Sequence, residues 1–244
     1  MDTLIIEKKN EVYLTVDCDP NIQREISEFF TFYVPGYKFM PAFRNRMWDG
    51  KIRLFSQKTK EIYFGLFPYI KAFAEERGYH IVTGKDVDID NKVDRDIVTK
   101  FSNSLGQKFE ARDYQIDAIY HSLKFNRTLL LSPTASGKSF IIYALIRYYS
   151  HLIKDEPNNR ILLIVPTTSL VEQMYTDFQS YGWNVKNNCH RLYSGYSNKT
   201  DKKVLISTWQ SLYKLPKEYF EQFGVVFGDE AHLFKSKSLT EIMT

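Results

Sequence analysis

Arg127-Thr-Leu-Leu-Leu131-Ser132-Pro133-Thr134-Ala135-Ser136-Gly137-Lys138-Ser139 is the stretch from which the fold of this chain is read. The apolar run Arg127–Leu131 predicts a buried parallel strand, and Ser139–His151 predicts a helix behind it. A loop in that position curls at Gly137, so that successive backbone N–H groups converge on phosphate oxygens at the helix N-terminus. Pro133, Thr134, Ala135 and Ser136 line such a loop, Lys138 reaches the β- and γ-phosphates, and the Ser139 hydroxyl ligates Mg²⁺. Ser132 stands where the general pattern has its first glycine, and a bare Gly-Lys-Ser arises by chance. The strand–loop–helix setting therefore carries the reading.

Working outward, Ile161–Val165, Val204–Ser207 and Val225–Phe227 are further short apolar runs, with a helical stretch at Ser169–Ser180. Strands alternating with helices predict a doubly wound α/β domain with right-handed crossovers. Directly after the last run come Asp229-Glu230-Ala231-His232. A carboxylate at a strand end suits a second Mg²⁺-side ligand, Asp229, with Glu230 as general base for the attacking water. Alone, the pair would read as an acidic helix start.

Together these motifs resemble superfamily two helicases of the Asp-Glu-Ala-His type. Pro166-Thr167-Thr168-Ser169 resembles motif Ia, Ser207-Thr208-Trp209-Gln210-Ser211 motif Ib, and Arg112-Asp-Tyr-Gln115 the adenine-reading Q motif. Glutamine pairs bidentately with the N6/N7 edge of adenine, which gives the last resemblance a physical basis. The resemblance implies a RecA-like lobe, ATP and Mg²⁺ as cofactors, and Lys138, Asp229, Glu230 and His232 as the catalytic set. It also implies Pro166, Thr167, Thr168, Thr208, Trp209 and Gln210 at a nucleic-acid face.

The first half differs in kind. Thr3–Glu7 and Glu11–Asp17 predict a hairpin, and Asp19-Pro20 a helix start, with Ile22, Ile26, Phe29, Phe30 and Tyr33 at helical spacing. Asp49-Gly50 predicts a turn into a strand at Lys51–Phe55. Pro68 to Gly78 predicts a helix and Tyr79–Val82 a strand. These elements predict a small α+β domain over 1–84. Between 36 and 60 stand Lys38, Arg44, Arg46, Lys51, Arg53, Lys58 and Lys60 against Asp49 alone, a local charge of +6 where the whole chain has +4. With Tyr37, Phe43 and Trp48 interleaved, the run fits a phosphate-binding and base-stacking face; a solvated hairpin with its aromatics inward is the alternative. Arg44 and Arg46, like Lys51 and Arg53, would share a face on a strand. Residues 37–54 resemble the N-terminal domain of the UvsW helicases of T-even-like phages, and that resemblance extends to Leu215–Gly224.

An acidic linker over 85–108 joins this domain to the lobe over 109–244. Asp86, Asp88 and Asp90 have the spacing of a calcium loop, but Asn91 and Ile97 stand where glycine and glutamate would turn and close it. At 244 residues, 43% apolar and 25% charged, the chain is neither disordered nor a disulfide scaffold. No apolar stretch is long enough for a membrane span, and Cys18 and Cys189 make no zinc site, so a cytoplasmic location is expected, a host cell's if the gene is a phage's. The resemblance implies branched DNA, or duplex with single-stranded regions, as partner, an RNA–DNA hybrid as a further one, and a second lobe in cis or in trans. Without that lobe, the chain is expected to bind ATP and hydrolyse it poorly. A restriction-type duplex translocase and a non-motor DNA-binding module with a vestigial pocket are the rival readings.

Overall fold

Residues 2–85, 87, 91–133, 135–156 and 159–232 are described by the structure, a computed structural model. Contacts divide the chain into two compact units between residues 89 and 90.

In the first unit, β1 (Thr3–Lys8) and β2 (Tyr13–Asp17) form the expected hairpin with Ile6 opposite Val16. Asp19 caps α1 (Pro20–Phe29), its carboxylate accepting the Asn21 N–H at 2.8 Å, and Pro20 fits the first turn. The apolar spacing predicts a helix reaching Tyr33. Instead the chain leaves the helix at Phe30, and the β-branched and aromatic Thr31–Tyr33 becomes strand β3, antiparallel to β4 (Lys51–Arg53). Between them lie α2 (Pro41–Arg44) and the loops around it. The strand expected over Lys51–Phe55 breaks at Leu54, because β5 (Phe55–Ser56) turns to pair with β6 (Glu61–Tyr63) in another sheet. Helix α3 (Phe67–Arg77) and β7 (His80–Thr83) follow. The main sheet runs β5-β6-β2-β1-β7, and only β1 and β7 are parallel. One face of it presents Leu4, Ile6, Leu14, Val16 and Ile62, all fully buried in one cluster with Ile22 and Ile26 of α1 and Ile70 and Phe73 of α3. Burying each such side chain contributes about 1.5–3 kcal/mol.

The second unit comprises α4 (Arg95–Asn103), α5 (Asp113–Phe125), α6 (Lys138–Leu152), β8 (Arg160–Val165), α7 (Thr168–Ser180), α8 (Val185–Asn188), β9 (Cys189–Leu192), β10 (Val204–Thr208), α9 (Trp209–Leu212) and β11 (Phe223–Gly228). Asp94 caps α4, accepting from the Asp96 and Ile97 N–H groups; Asp86, Asp88 and Asp90 lie outside the described residues. The sheet is all parallel in the order β11-β8-β10-β9. Ile161, Leu163, Val165, Val204 and Ile206 pack on one face with α5, α6 and α7; Leu162, Ile164 and Leu205 pack on the other with Leu212 and Trp209. Every residue of Ile161–Val165 is buried, as a central parallel strand requires.

Arg127–Leu131 departs from expectation. It belongs to no strand, and Leu129 and Leu131 are 69% and 91% exposed. Among the described residues β11 pairs with β8 alone, so no ladder takes this run in. With no sheet neighbour the run gains neither ladder bonds nor a covered face, and alternate leucines stay in solvent.

Candidate functional site

The phosphate loop sits between this run, which belongs to no strand, and α6. Gly137, at φ +80°, is the N-cap of α6, and Ala135 also takes a left-handed conformation at φ +62°. Both curl the backbone toward the helix N-terminus, where its unpaired N–H groups lie. The Ser136 N–H bonds the Pro133 carbonyl at 3.3 Å, and the Ser132 and Ser136 hydroxyls bond each other, so Ser132 closes the loop where a glycine is usual. Thr134 lies outside the described residues. Ser139 follows in the first turn, half-buried and, among the described residues, without a hydrogen-bond partner.

Facing the loop is the end of β11. The Asp229 N–H bonds the Ile164 carbonyl at 2.9 Å, which ties the acidic pair to the core strand β8. Glu230, at φ +54°, donates its N–H to Asp229 Oδ1 at 3.0 Å. Its carboxylate lies between two side chains: Lys138 Nζ is 3.4 Å from Oε1 and His232 Nδ1 3.3 Å from Oε2. Residues 92 apart in the chain thus meet at one point.

Arg112 and Gln115 lie beside the loop, and buried Gln115 makes one hydrogen bond at each of its polar atoms. Oε1 accepts the Arg112 N–H at 3.0 Å, and Nε2 donates to the Ser136 carbonyl at 3.1 Å. The Tyr114 hydroxyl donates to the same carbonyl at 2.8 Å, and Arg112 Nη1 donates to Tyr114 at 3.0 Å. A Cβ on Gly137 would come within 2.4 Å of Gln115 Nε2. Gln115 therefore buttresses the loop from beneath. Sequence reasoning missed Tyr114, although it lies inside the quoted motif.

At the C-terminal edge of the sheet, Pro166 is half-buried and Thr167 and Thr168 are exposed, with Thr167 capping α7. Thr208 is buried and bonded to Ser211, and the half-buried Trp209 packs against the second core face. Gln210 is exposed beside them.

The basic run of the first unit is organised by β3 and β4. The Val34 N–H bonds the Gly50 carbonyl at 2.9 Å, closing the excursion 34–50 at its base. Tyr33 stacks on Tyr37 at 4.7 Å, Tyr37 meets Phe43 edge-on at 4.8 Å, and Lys51 Nζ lies 4.9 Å over Tyr33. Gly50, at φ +78°, admits the Tyr37 ring, because a Cβ there would lie 2.3 Å from it. Trp48 is half-buried and its indole N–H donates to the Lys51 carbonyl at 2.9 Å, so it anchors the excursion. Arg44 and Arg46 are not on a strand. Arg44 ends α2, and Arg46 takes φ +56° while its N–H and that of Met47 bond the carbonyls of Phe43 and Ala42. This is a Schellman C-cap with arginine in the glycine position. A cleft of about 610 Å³ is lined by Lys38, Phe43, Arg44, Arg46, Met47, Trp48 and Asp49. Asp49 pairs with Arg53, which holds its carboxyl below the usual carboxylate range. Lys38, Arg44 and Arg46 form no ion pair among the described residues.

A parallel sheet carrying a phosphate loop at one helix N-terminus and a carboxylate pair at a neighbouring strand end defines a RecA-like nucleotide-binding lobe. Residues 108–244 match the family described as type III restriction enzyme, res subunit, and residues 6–84 the family described as DNA helicase UvsW, N-terminal. The chain belongs to the UvsW helicase family. The ATP-dependent DNA helicase uvsW of Enterobacteria phage T4 is 34% identical over 241 residues, 95% of this chain. This chain spans 47% of that relative's length. The crystal structure of the UvsW helicase from bacteriophage T4 matches at a TM-score of 0.82 and 33% identity, covering 100% of this chain and 87% of that one. A second crystal structure of T4 UvsW matches at the same TM-score, covering 50% of that chain. Dicer-like protein 2-2 of Aspergillus niger is 30% identical over 128 residues, 50% of this chain and 9% of that protein.

Proposed function

We propose that this chain is the N-terminal part of an ATP-dependent DNA helicase that remodels branched DNA, such as forks and Holliday junctions, in recombination and repair. The contact of Lys138 with Glu230 at 3.4 Å carries the reading, because it brings a phosphate-seeking cation and a candidate general base to one point. In this reading the 135–138 backbone and Lys138 take the phosphates of ATP, and Glu230 orients the attacking water once Lys138 turns from it to the nucleotide. The donor set of Ser139 and Asp229, a hydroxyl without a partner and a carboxylate, suits Mg²⁺, which would neutralise charge on the transferring phosphate. His232 tethers Glu230. Gln115 and Tyr114 hold the loop through the Ser136 carbonyl, and the remaining donor and acceptor of the Gln115 amide, with Arg112, face the adenine in this reading.

Single-stranded DNA, or an RNA–DNA hybrid, would cross the exposed Thr167, Thr168 and Gln210, while Lys38, Arg44, Arg46 and Lys51 hold phosphates on the first unit, with Arg53 paired to Asp49 beside them. The match over 108–244 alone would favour a restriction-type duplex translocase; the match over 6–84 favours the helicase. Intact Lys138, Asp229 and Glu230 speak against a vestigial pocket. Transition-state arginines are worth about 10³–10⁵ in rate, and none contacts Lys138, Asp229 or Glu230 among the described residues. Residues 1–244 should accordingly bind Mg·ATP and turn it over far below helicase rates until a second lobe is supplied in cis or in trans. The place of action is the cytoplasm, a host cell's if the gene is a phage's.

Lys138→Ala tests the nucleotide half. Calorimetric titration with Mg·ATP should show binding to the parent and none to the variant, at an unchanged melting temperature. Equal affinity in a folded variant would move the site elsewhere.

A further inference from the structure

The excursion 34–50 holds two large apolar side chains in water on a rigid frame. Phe39 is 85% exposed and Met47 78%. Neither position is loose. The Phe39 N–H bonds the Gly36 carbonyl at 3.0 Å, and Met47 is fixed through the Schellman bond to Ala42 at 2.9 Å. In that motif the residue at the Met47 position ordinarily packs back onto the last helical turn. Tyr79, at the equivalent position after α3, does so and packs against the core. Met47 instead turns outward and lines the basic cleft. Phe39 follows Lys38 directly, and Arg44 and Arg46 precede Met47, all three cations without ion pairs among the described residues. Folding gains nothing from this exposure. A partner that offers apolar planes between anions would gain from it, and nucleic acid with unstacked bases has that chemistry. The residues first marked for stacking are otherwise occupied: Tyr37 and Phe43 pack on each other, and Trp48 is bonded inward.

We propose that Phe39 and Met47 are the base-contacting residues of the first unit, stacking on unpaired or terminal bases where single-stranded and duplex DNA meet, while Lys38, Arg44 and Arg46 hold the adjoining phosphates. The proposal rests on the reading of this face as a DNA-binding one and adds the structure within DNA that it selects. Apolar side chains that enter or cap a base stack are a recurrent means of holding such boundaries.

The full chain is tested on a forked duplex and on a blunt duplex of the same length, with 2-aminopurine at the first unpaired position of the fork. Removing a stacked base contact costs between about fivefold and 150-fold in affinity. Phe39→Ala with Met47→Ala should weaken fork binding by about tenfold or more, abolish the 2-aminopurine signal, and leave the blunt duplex and its salt dependence unchanged. Phe39→Tyr, which keeps the ring, should retain both fork binding and signal. Arg44→Gln with Arg46→Gln should weaken fork and duplex alike. Unchanged fork affinity and signal in the folded Phe39/Met47 variant, or equal losses on fork and duplex, would overturn the stacking role while leaving the DNA-binding reading in place. A parent that binds neither DNA would overturn both. Binding of the parent to phosphatidylserine vesicles in preference to the fork, lost on Phe39→Ala, would assign the patch to a membrane surface instead.

Discussion

Arg46→Gly should stabilise the first unit and weaken its hold on DNA, two changes of opposite sign from one substitution. Arg46 occupies the C′ position of a Schellman cap at φ +56°, with its own N–H on Phe43 and the Met47 N–H on Ala42. Helix α3 ends with the same bonds, from Gly78 to Glu75 at 3.2 Å and from Tyr79 to Ala74 at 2.9 Å, but there the left-handed residue is glycine at φ +71°. The chain therefore contains both versions of one motif. A left-handed L-residue costs roughly 1–2 kcal/mol, and glycine returns roughly 0.5–1 kcal/mol of that through unfolded-state entropy. The net gain on Arg46→Gly is about 0.5–1 kcal/mol, or roughly 2–8 °C in Tm for a unit of this size. Arg46 makes no ion pair or side-chain hydrogen bond among the described residues that would offset this.

On the DNA side the variant removes one unpaired cation from the cleft. Each lost phosphate contact lowers the slope of log K against log salt by about 0.9 for duplex DNA. With Lys38, Arg44, Arg46 and Lys51 as the cations outside the Asp49–Arg53 pair, the parent slope should be about −3.6 and the variant about −2.7. Between 50 and 200 mM salt the parent should then lose about 150-fold in affinity and the variant about 40-fold. Thermal melts and anisotropy titrations across that range read both changes, and amide exchange at residues 46 and 47 reads the local gain if the cap opens below the global transition. A variant that melts lower than the parent, or one that keeps the parent slope, would refute the reasoning. The first result would mean that Arg46 stabilises its own turn, the second that it touches no phosphate.

Asp49→Asn should tighten DNA binding and steepen the slope by about 0.9, because it frees Arg53 while keeping an acceptor for the Lys51 N–H; an unchanged slope would mean that Arg53 lies off the path. The same pair makes a pH test. Asp49's carboxyl is depressed by Arg53, so the pair is intact above the ordinary carboxylate range and is lost only as pH falls through a lower value; melts of parent and Asp49→Asn should therefore converge only in strong acid. Gly50→Ala should loosen the excursion, since its Cβ would meet the Tyr37 ring at 2.3 Å and φ +78° disfavours any side chain. A melt lower by several degrees together with weaker fork binding is expected, and a parent-like melt would show that the Tyr33–Tyr37–Phe43 stack is dispensable. In the second unit the Tyr143 hydroxyl takes a hydrogen bond from Arg147 at 2.6 Å and reaches the Leu105 and Tyr181 carbonyls at 3.1 and 3.3 Å. Tyr143→Phe leaves these groups unsatisfied, at a cost of about 1–3 kcal/mol, and an unshifted Tm would show that water replaces the hydroxyl.

The elements legible in the sequence were those with dense local signals. Asp19-Pro20 starts α1, Pro68 and Gly78 bracket α3, and Ile161–Val165 and Val204–Ser207 are strands where their runs place them. Tyr33 was misread because helical spacing continues past Phe30, while strand pairing with Lys51, eighteen positions away, decides its conformation. The loop Ser132–Ser139 and the pair Asp229-Glu230 were legible as a site because each motif is short and its order along the chain is informative. Their meeting through Lys138 and Glu230 was implied only by the family resemblance. The second set of partners of Gln115 was not legible for a related reason: the same amide that matches adenine also matches its own helix start and the Ser136 carbonyl, which the chain brings close only on folding.

The first unit's face shows why exposure is harder to read than burial. Tyr37, Phe43, Trp48, Phe39 and Met47 stand within twelve residues and all carry a large apolar body, and no pattern of period two or 3.6 separates them. The fold separates them by backbone conformation. Gly50 at φ +78° makes room for Tyr37, whose ring then takes Phe43 and Tyr33, and the turn behind it lets Trp48 reach the Lys51 carbonyl. Once those three are committed inward, Phe39 and Met47 have no interior left to enter, and the Schellman turn at Arg46 carries Met47 toward the cations rather than toward the helix. The left-handed arginine and the outward methionine are thus consequences of one turn. The left-handed backbone at position 46 is the condition for the placement of Met47, and because glycine would keep that backbone, Arg46→Gly tests the cation and Met47→Ala the apolar side chain on one unchanged turn.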